Sequence, residues 1–466
     1  MNFVEKILAV RCGRKKVKPG EIIQAKVDLI LGNELSTIVA IQEFEKVGAK
    51  RVFNPDKITI VPDHFTPAKD IRTAEICKKI REWVRAQEIP HYFEVGRGGI
   101  EHVVLPDEGL VLPGALIIGG DSHTVTYGAL GALGMGVGST DMAAAFITGE
   151  IWLKVPETIK IVFNGTPGKW TAAKDLILFA IGQVGIDGAR YRAVEYAGSA
   201  VKNLTMTGRL TLANMVAEMG GKVGVIQPDE KVIEFLSRVA EKRMRITDAS
   251  DEESLIAKRR YERVEKFLDA FRNNGTQFSS PANIFINDLD ANYAKIYELN
   301  VEGLEPMIAC PPSPDKVVPL SKLGNIKLDQ VFIGSCTNGR IEDLRIAANI
   351  LNGRKVSPHT RLLIVPGSQE VYLQALNEGI VQKFVEAGGA VSTPTCGACV
   401  GGHMGVLAGN ETCLSTTNRN FVGRMGHVNA STYLSNPAVA AASAIAGKIV
   451  HPEEVVTHNT ATVGIK

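Results

Sequence analysis

The 466-residue sequence has almost no excess of either charge: 52 Lys and Arg against 50 Asp and Glu leave a formal net charge of +2. A nucleic-acid-binding surface or an anionic membrane calls for clustered basic side chains, so neither partner is expected. Long hydrophobic runs are also missing. A membrane-spanning helix needs about 18 to 20 apolar residues, and the longest weakly polar run, residues 128–138, stops at Ser139-Thr140-Asp141. The first eight residues carry Glu5 where a secretory leader has positive charge, and no long apolar stretch follows, which points to the cytoplasm. Seven cysteines are too few for a disulfide framework in a chain this long and read as reduced thiols or metal ligands.

What is present is a balance of 45% apolar and 22% charged residues with 46 glycines, enough to build large cores in two to four domains. Short apolar runs at residues 58–61, 115–118, 330–333 and 361–365 read as buried parallel strands. Between them, residues 71–87, 176–184, 210–219 and 341–351 carry apolar side chains at helical spacing, so the class is α/β with helices on both faces of open sheets. Residues 229–271 are dense in Glu, Lys and Arg and read as an amphipathic helical insertion extending to about residue 285, with turns at Asn273-Asn274-Gly275 and Ser279-Ser280-Pro281. Five prolines between Pro306 and Pro319 mark a linker, which puts a domain boundary near residue 320.

Unusual polar residues directly follow the apolar runs: Asp63-His64, Asp121-Ser122-His123-Thr124 and Ser335-Cys336-Thr337-Asn338. Any one of them has a bland explanation as a helix N-cap. Three together, bringing His and Cys to the carboxyl ends of strands where open α/β sheets bind ligands, point to a site. Cys396-Gly397-Ala398-Cys399 is a C-x-x-C, with Cys336 sixty positions earlier. Three thiolates in glycine-rich surroundings suit an iron–sulfur cluster with one iron left open, while a Cys3His zinc set completed by His403 remains an alternative. Cys12, Cys77, Cys310 and Cys413 have no partner at ligand spacing. Beyond the C-x-x-C, Arg419 and Arg424 stand five positions apart among asparagines, a pattern suited to clamping carboxylates.

These motifs, with Gly99-Ile100-Glu101-His102 and Asn418-Arg419-Asn420-Phe421, resemble the aconitase superfamily nearly end to end, and within it the large subunits of two-subunit isopropylmalate dehydratases and homoaconitases. The resemblance implies three α/β/α domains, at residues 1–125, 126–319 and 320–466, around a [4Fe–4S] cluster held by Cys336, Cys396 and Cys399. It implies catalytic roles for Asp63, His64, His102, Asp121, His123 and Glu218, with Asp63 pairing His64 and Glu218 pairing His102. Substrate contacts fall to Ser122, Asn214, Asn418, Arg419 and Arg424, and Asn33-Glu34 occupies a substrate-side position.

The implied activity is a hydro-lyase isomerising 2- and 3-isopropylmalate in leucine biosynthesis. Homoaconitate, citraconate and methylated malates are the alternative dicarboxylate or tricarboxylate substrates. The fourth, swivelling domain of one-chain relatives, with its serine base, has no counterpart in this sequence, so a separate small subunit is expected to supply it. The charged insertion is longer than the archaeal-type large subunits lead one to expect. A cluster-gated RNA-binding regulator is a different class of reading, and the near-neutral charge argues against it.

Overall fold

A computed structural model of the chain describes residues 1–242, 251–273 and 284–456. Three parallel or largely parallel sheets form the frame, with a two-stranded antiparallel ribbon, Ile22–Lys26 on Glu150–Lys154, beside them. The first sheet runs, edge to edge, His91–Tyr92, Ile58–Ile60, Leu29–Gly32, Leu116–Gly119 and Leu133–Gly136, all parallel. Side chains alternate across it, as the pleat requires. Ile30, Leu116 and Ile118 enter one core with Ile41, Phe44, Trp83 and Phe146, from the helices Glu34–Lys46, Ile71–Ala86 and Ser139–Thr148.

Leu29, Leu31 and Ile117 face the other way, and here the charged stretch takes its place. It forms the helices Glu230–Glu241 and Glu252–Asn273, which bury Leu236, Val239, Tyr261, Val264 and Leu268 against that face. The contact is close: at Gly109, where φ is +69°, a Cβ would meet Val264 at 2.7 Å. The insertion is therefore half the cover of the first sheet, because strands buried on both faces need a second helical layer. The turns expected around Asn274 and Ser279 lie outside the described residues.

The second sheet, Val223–Ile226, Ala193–Ala197, Thr158–Asn164 and Lys295–Asn300, is parallel throughout. The third has seven strands in the order Val317–Pro319, Met307–Ala309, Ser431–Leu434, Thr412–Ser415, Gln330–Ile333, Arg361–Ile364 and Ala390–Val391. Its first two strands come from the proline-rich stretch read as a linker. That reading is corrected: Met307–Ala309 pairs antiparallel with Val317–Pro319, a place at the sheet margin where proline's missing N–H is tolerated. The helix expected at 210–219 is also split, into Met206–Asn214 and a 3-10 segment Met215–Met219. Residue 125 falls within the 3-10 segment Ser122–Leu130, and Leu133–Gly136 still belongs to the first sheet.

Candidate active site

The carboxyl ends of the first and third sheets supply most of the site. From the first sheet, Gly32 leads into Asn33-Glu34, Ile60 into Asp63-His64, and Gly119 into Asp121-Ser122-His123. The short helix Glu101–Asp107 brings Glu101 and His102. From the third sheet, Ile333 leads through Gly334 and Ser335 to Cys336, and Ser415 into the segment carrying Asn418 and Arg419. Ser335 holds φ at +80° without being glycine, a strained backbone that turns Cys336 inward. Asn214 and Glu218 come from the end of Met206–Asn214 and the 3-10 segment after it.

Three imidazoles each meet a carboxylate. His64 Nδ1 lies 2.5 Å from Asp63 Oδ1. His102 Nε2 lies 2.9 Å from Asp121 Oδ1, and His123 Nε2 lies 3.0 Å from Glu218 Oε1. The expected His102–Glu218 pair is thus corrected. Glu218 belongs to His123, and also accepts from Arg419 Nε at 2.8 Å, while His102 turns to Asp121, which closes on it from the opposite loop. Arg419 also donates to Ser122 Oγ at 2.9 Å.

Electrostatics follow from this geometry. Burial opposes the charged form of His64, but Asp63 outweighs it and holds the imidazole well above its ordinary range. Burial likewise opposes charge on His123, and Glu218 raises it. Burial would raise Asp121 and Glu218, yet the hydrogen bonds and charges of His102 and His123 hold Asp121 well below the usual carboxylate range, and His123 with Arg419 lower Glu218.

Two of the three cysteines meet at Ser335, whose hydroxyl lies 3.7 Å from the sulfurs of both Cys336 and Cys399. Cys396 N–H donates to the Asp63 carbonyl at 2.7 Å, joining the C-x-x-C to the His64 loop. Two amides aim at the Cys336 sulfur, Asn214 Nδ2 at 3.1 Å and Asn418 Nδ2 at 3.4 Å. Such donors suit a thiolate, and burial pushes the free Cys336 thiol up to about 12, so a metal is needed to hold it ionised. Three cysteine sulfurs with side-chain amides aimed at one of them make a donor set that fits a [4Fe–4S] cluster. The Nε of Arg424 is buried with no hydrogen-bond partner among the described residues, beside Cys399 and Cys396.

Of four further groups, Glu34 was expected only as a substrate-side residue, and Glu101, Tyr127 and Lys174 were given no role in the sequence. Glu34 accepts from Asp63 N–H at 2.9 Å and from Phe65 N–H, bracketing His64. Glu101 accepts from Asn33 Nδ2 at 3.0 Å, and Tyr127 Oη lies 3.3 Å from His102 Nδ1. Lys174 is fully buried, donates to the Thr416 and Thr417 carbonyls at 2.8 and 2.5 Å, and is lowered by burial to about 8. Its signal was legible as half of a charged pair, Lys174-Asp175, opening a mostly apolar helix, Ala173–Val184.

A fold of parallel sheets whose strand ends bring three thiols opposite three imidazole–carboxylate pairs defines a metal-dependent class of enzyme rather than a binding module. The sequence profile of the aconitase family (aconitate hydratase) matches residues 5–325 and 321–447. The chain is 52% identical over 455 residues to the 3-isopropylmalate dehydratase large subunit of Halothermothrix orenii, covering 98% of this chain and 99% of that one. It is 50% identical over 458 residues to the 3-isopropylmalate dehydratase large subunit 1 of the archaeon Pyrococcus furiosus, with the same coverage. Among solved structures it is similar to holo aconitase X of Thermococcus kodakaraensis, at 11% identity and a TM-score of 0.46, covering 92% of this chain and 94% of that one. The chain belongs to the aconitase family, whose members are hydro-lyases. Among the described residues no helix is long and apolar enough to cross a membrane.

Proposed function

We propose that the chain is the cluster-bearing large subunit of a hydro-lyase that interconverts 2- and 3-isopropylmalate by dehydration and rehydration through isopropylmaleate, in leucine biosynthesis. The observation that carries this reading is the convergence of Cys336, Cys396 and Cys399 with the His64, His102 and His123 pairs at adjoining strand ends, in a chain about half identical to relatives named for that activity. A [4Fe–4S] cluster on the three cysteines supplies a Lewis acid at the substrate hydroxyl. His64, kept protonated by Asp63, offers an acidic N–H for the departing hydroxyl. Arg424, whose Nε has no hydrogen-bond partner among the described residues, and Arg419, between Glu218 and Ser122, bind the carboxylates and fix which C–O bond faces His64. Asn214 and Asn418 hold the Cys336 sulfur by their amides. The relatives are named as large subunits, which supports a separate small subunit carrying the swivelling domain and its serine base.

The test is a hydration and dehydration assay of the anaerobically reconstituted chain, alone and with a co-encoded small subunit, across isopropylmalate, homoaconitate, citraconate and citrate. Activity is expected only in the mixture and strongest with isopropylmalate. Preference for another acid would move the substrate, and inactivity of a mixture with an intact cluster would overturn the reading.

A further inference from the structure

Glu101 is 1% exposed, opens the helix Glu101–Asp107, and touches both neighbouring imidazole–carboxylate pairs. Its backbone N–H donates to Asp63 Oδ2 at 2.9 Å. Its Oε1 accepts from Asn33 Nδ2 at 3.0 Å and lies 3.4 Å from His102 Nε2, the same nitrogen that meets Asp121 Oδ1 at 2.9 Å. Ligand atoms of Glu101, His102 and Asp121 all fall within 4.8 Å of one another. On the far side of the ring, Tyr127 Oη lies 3.3 Å from His102 Nδ1 and 3.4 Å from the Glu101 carbonyl oxygen, two acceptors for its one proton. Both edges of His102 are therefore tied to Glu101. Its remaining oxygen, Oε2, is buried without a partner among the described residues.

We propose that Glu101 is the positioning residue for His102, its carboxyl wedged between the Asp63–His64 and His102–Asp121 pairs so that His102 keeps its Nε2 proton on Asp121. The groups facing Glu101 are Asp63 and His64 from the loop after Ile58–Ile60, Asn33 from the start of Glu34–Lys46, Asp121 and Tyr127 from the turn after Leu116–Gly119, and His102 on its own helix. Burial first, and then the anions of Asp63 and Asp121, push Glu101 well above the usual carboxyl range, against His64 and Asn33. Asp121 moves the opposite way. Two carboxyls thus share one imidazole nitrogen, one as the anion and one as the acid, the arrangement by which neighbouring carboxyls divide roles. A neutral Glu101 fills the second position at Nε2 without a second negative charge. Nδ1 is then left to accept from Tyr127, and the ring stands in a single tautomer.

The inference rests on the hydro-lyase reading only for its activity arm. The experiment compares Glu101→Gln, Glu101→Met and the unaltered chain, each reconstituted anaerobically with the small subunit. It measures kcat and KM against pH, and the ring nitrogens of the nine histidines by 15N NMR. Gln is neutral and planar and keeps the acceptor for Asn33, so kcat is expected to stay within about 3-fold with the pH profile in place. Met keeps the bulk and loses the polar contacts, so kcat is expected to fall roughly 10- to 100-fold, as for loss of other groups that orient a reacting imidazole. KM should then stay within about 2-fold, and the His102 nitrogens should report mixed tautomers. Loss in Glu101→Gln equal to that in Glu101→Met would overturn the proposal, and so would an unchanged tautomer in Glu101→Met. Should the unaltered complex show no hydro-lyase activity, the functional reading fails and the nitrogen spectra alone decide the role of Glu101.

Discussion

Glu34 and Asp63 are joined by a hydrogen bond from the Asp63 backbone N–H to Glu34 Oε2 at 2.9 Å, and the other Glu34 oxygen takes the N–H of Phe65. His64 lies between those two amides, so the loop that aims the imidazole is held from beneath by a carboxylate rather than by its own turn. The same loop accepts from Cys396 N–H and Thr395 Oγ1 through the Asp63 carbonyl, which couples His64 to the cysteines. Glu34→Ala strands two buried N–H groups. An unsatisfied buried donor costs about 1–3 kcal/mol, so a loss of roughly 3 kcal/mol is expected in urea unfolding of the chain, with Glu34→Gln losing less.

Arg209 is 1% exposed and forms a two-pronged pair with Asp229, at 2.7 and 2.6 Å. Asp229 also caps the helix Glu230–Glu241 by accepting from Lys231 N–H. Asp229→Ala leaves the guanidinium buried and unpaired, and about 3 kcal/mol of destabilisation is expected, at the low end for breaking such a pair because Asp229 is partly exposed. Denaturation midpoints measure the loss, and Asp229→Asn should recover part of it through the cap.

The acid–base groups of the site set a pH window for the metal-free chain. His64 and His123 sit above their ordinary range, so the stability they contribute is full below about pH 6.5 and fades as pH rises through their folded values. Glu101 and Glu34, raised by burial and by Asp63, add to the loss on the alkaline side because ionising them in place is unfavourable. Asp121 and Glu218 are lowered, so their contribution is present above about pH 4 and lost only as pH falls through their folded values. Urea midpoints are expected to be higher near pH 5.5 than near pH 8. A midpoint that climbs over that interval contradicts the assigned directions.

Asn214 directs an N–H at the Cys336 sulfur and is itself placed by Thr126, whose hydroxyl accepts from it at 2.8 Å. Hydrogen bonds to cluster sulfurs raise the reduction potential and shield the site. Asn214→Ala is therefore expected to lower the midpoint potential of the reconstituted cluster and to speed its bleaching in air, both read from visible absorbance. Cys336→Ser should retain no intact cluster and no activity.

Much of the frame was legible because its signals are local. The strands Gln330–Ile333 and Arg361–Ile364 stand out as short apolar runs, and the helix Ile341–Leu351 as a clean 3.6 period. Asp63-His64, Asp121-Ser122-His123 and Cys336 were visible as polar residues placed where a buried strand ends. The charged helices were harder. Their few apolar positions look like surface ornament until Leu236 and Val264 are seen against Leu29 and Leu31, residues some two hundred positions away. The proline-rich stretch misled for the opposite reason, since proline marks linkers and sheet margins alike.

By itself, then, the sequence determined the elements, the motifs and the chemical inventory of the site, because apolar periodicity, turn residues and thiol spacing act over a few positions of chain. Which groups meet was decided only by the tertiary structure. That His123, not His102, takes Glu218, that Glu101 wedges between two histidine pairs, and that Lys174 closes on Thr416 and Thr417 all depend on loops brought together from separate sheets. Hydrogen bonds and charge act over a few ångströms of space, and separation along the chain carries no trace of such distances.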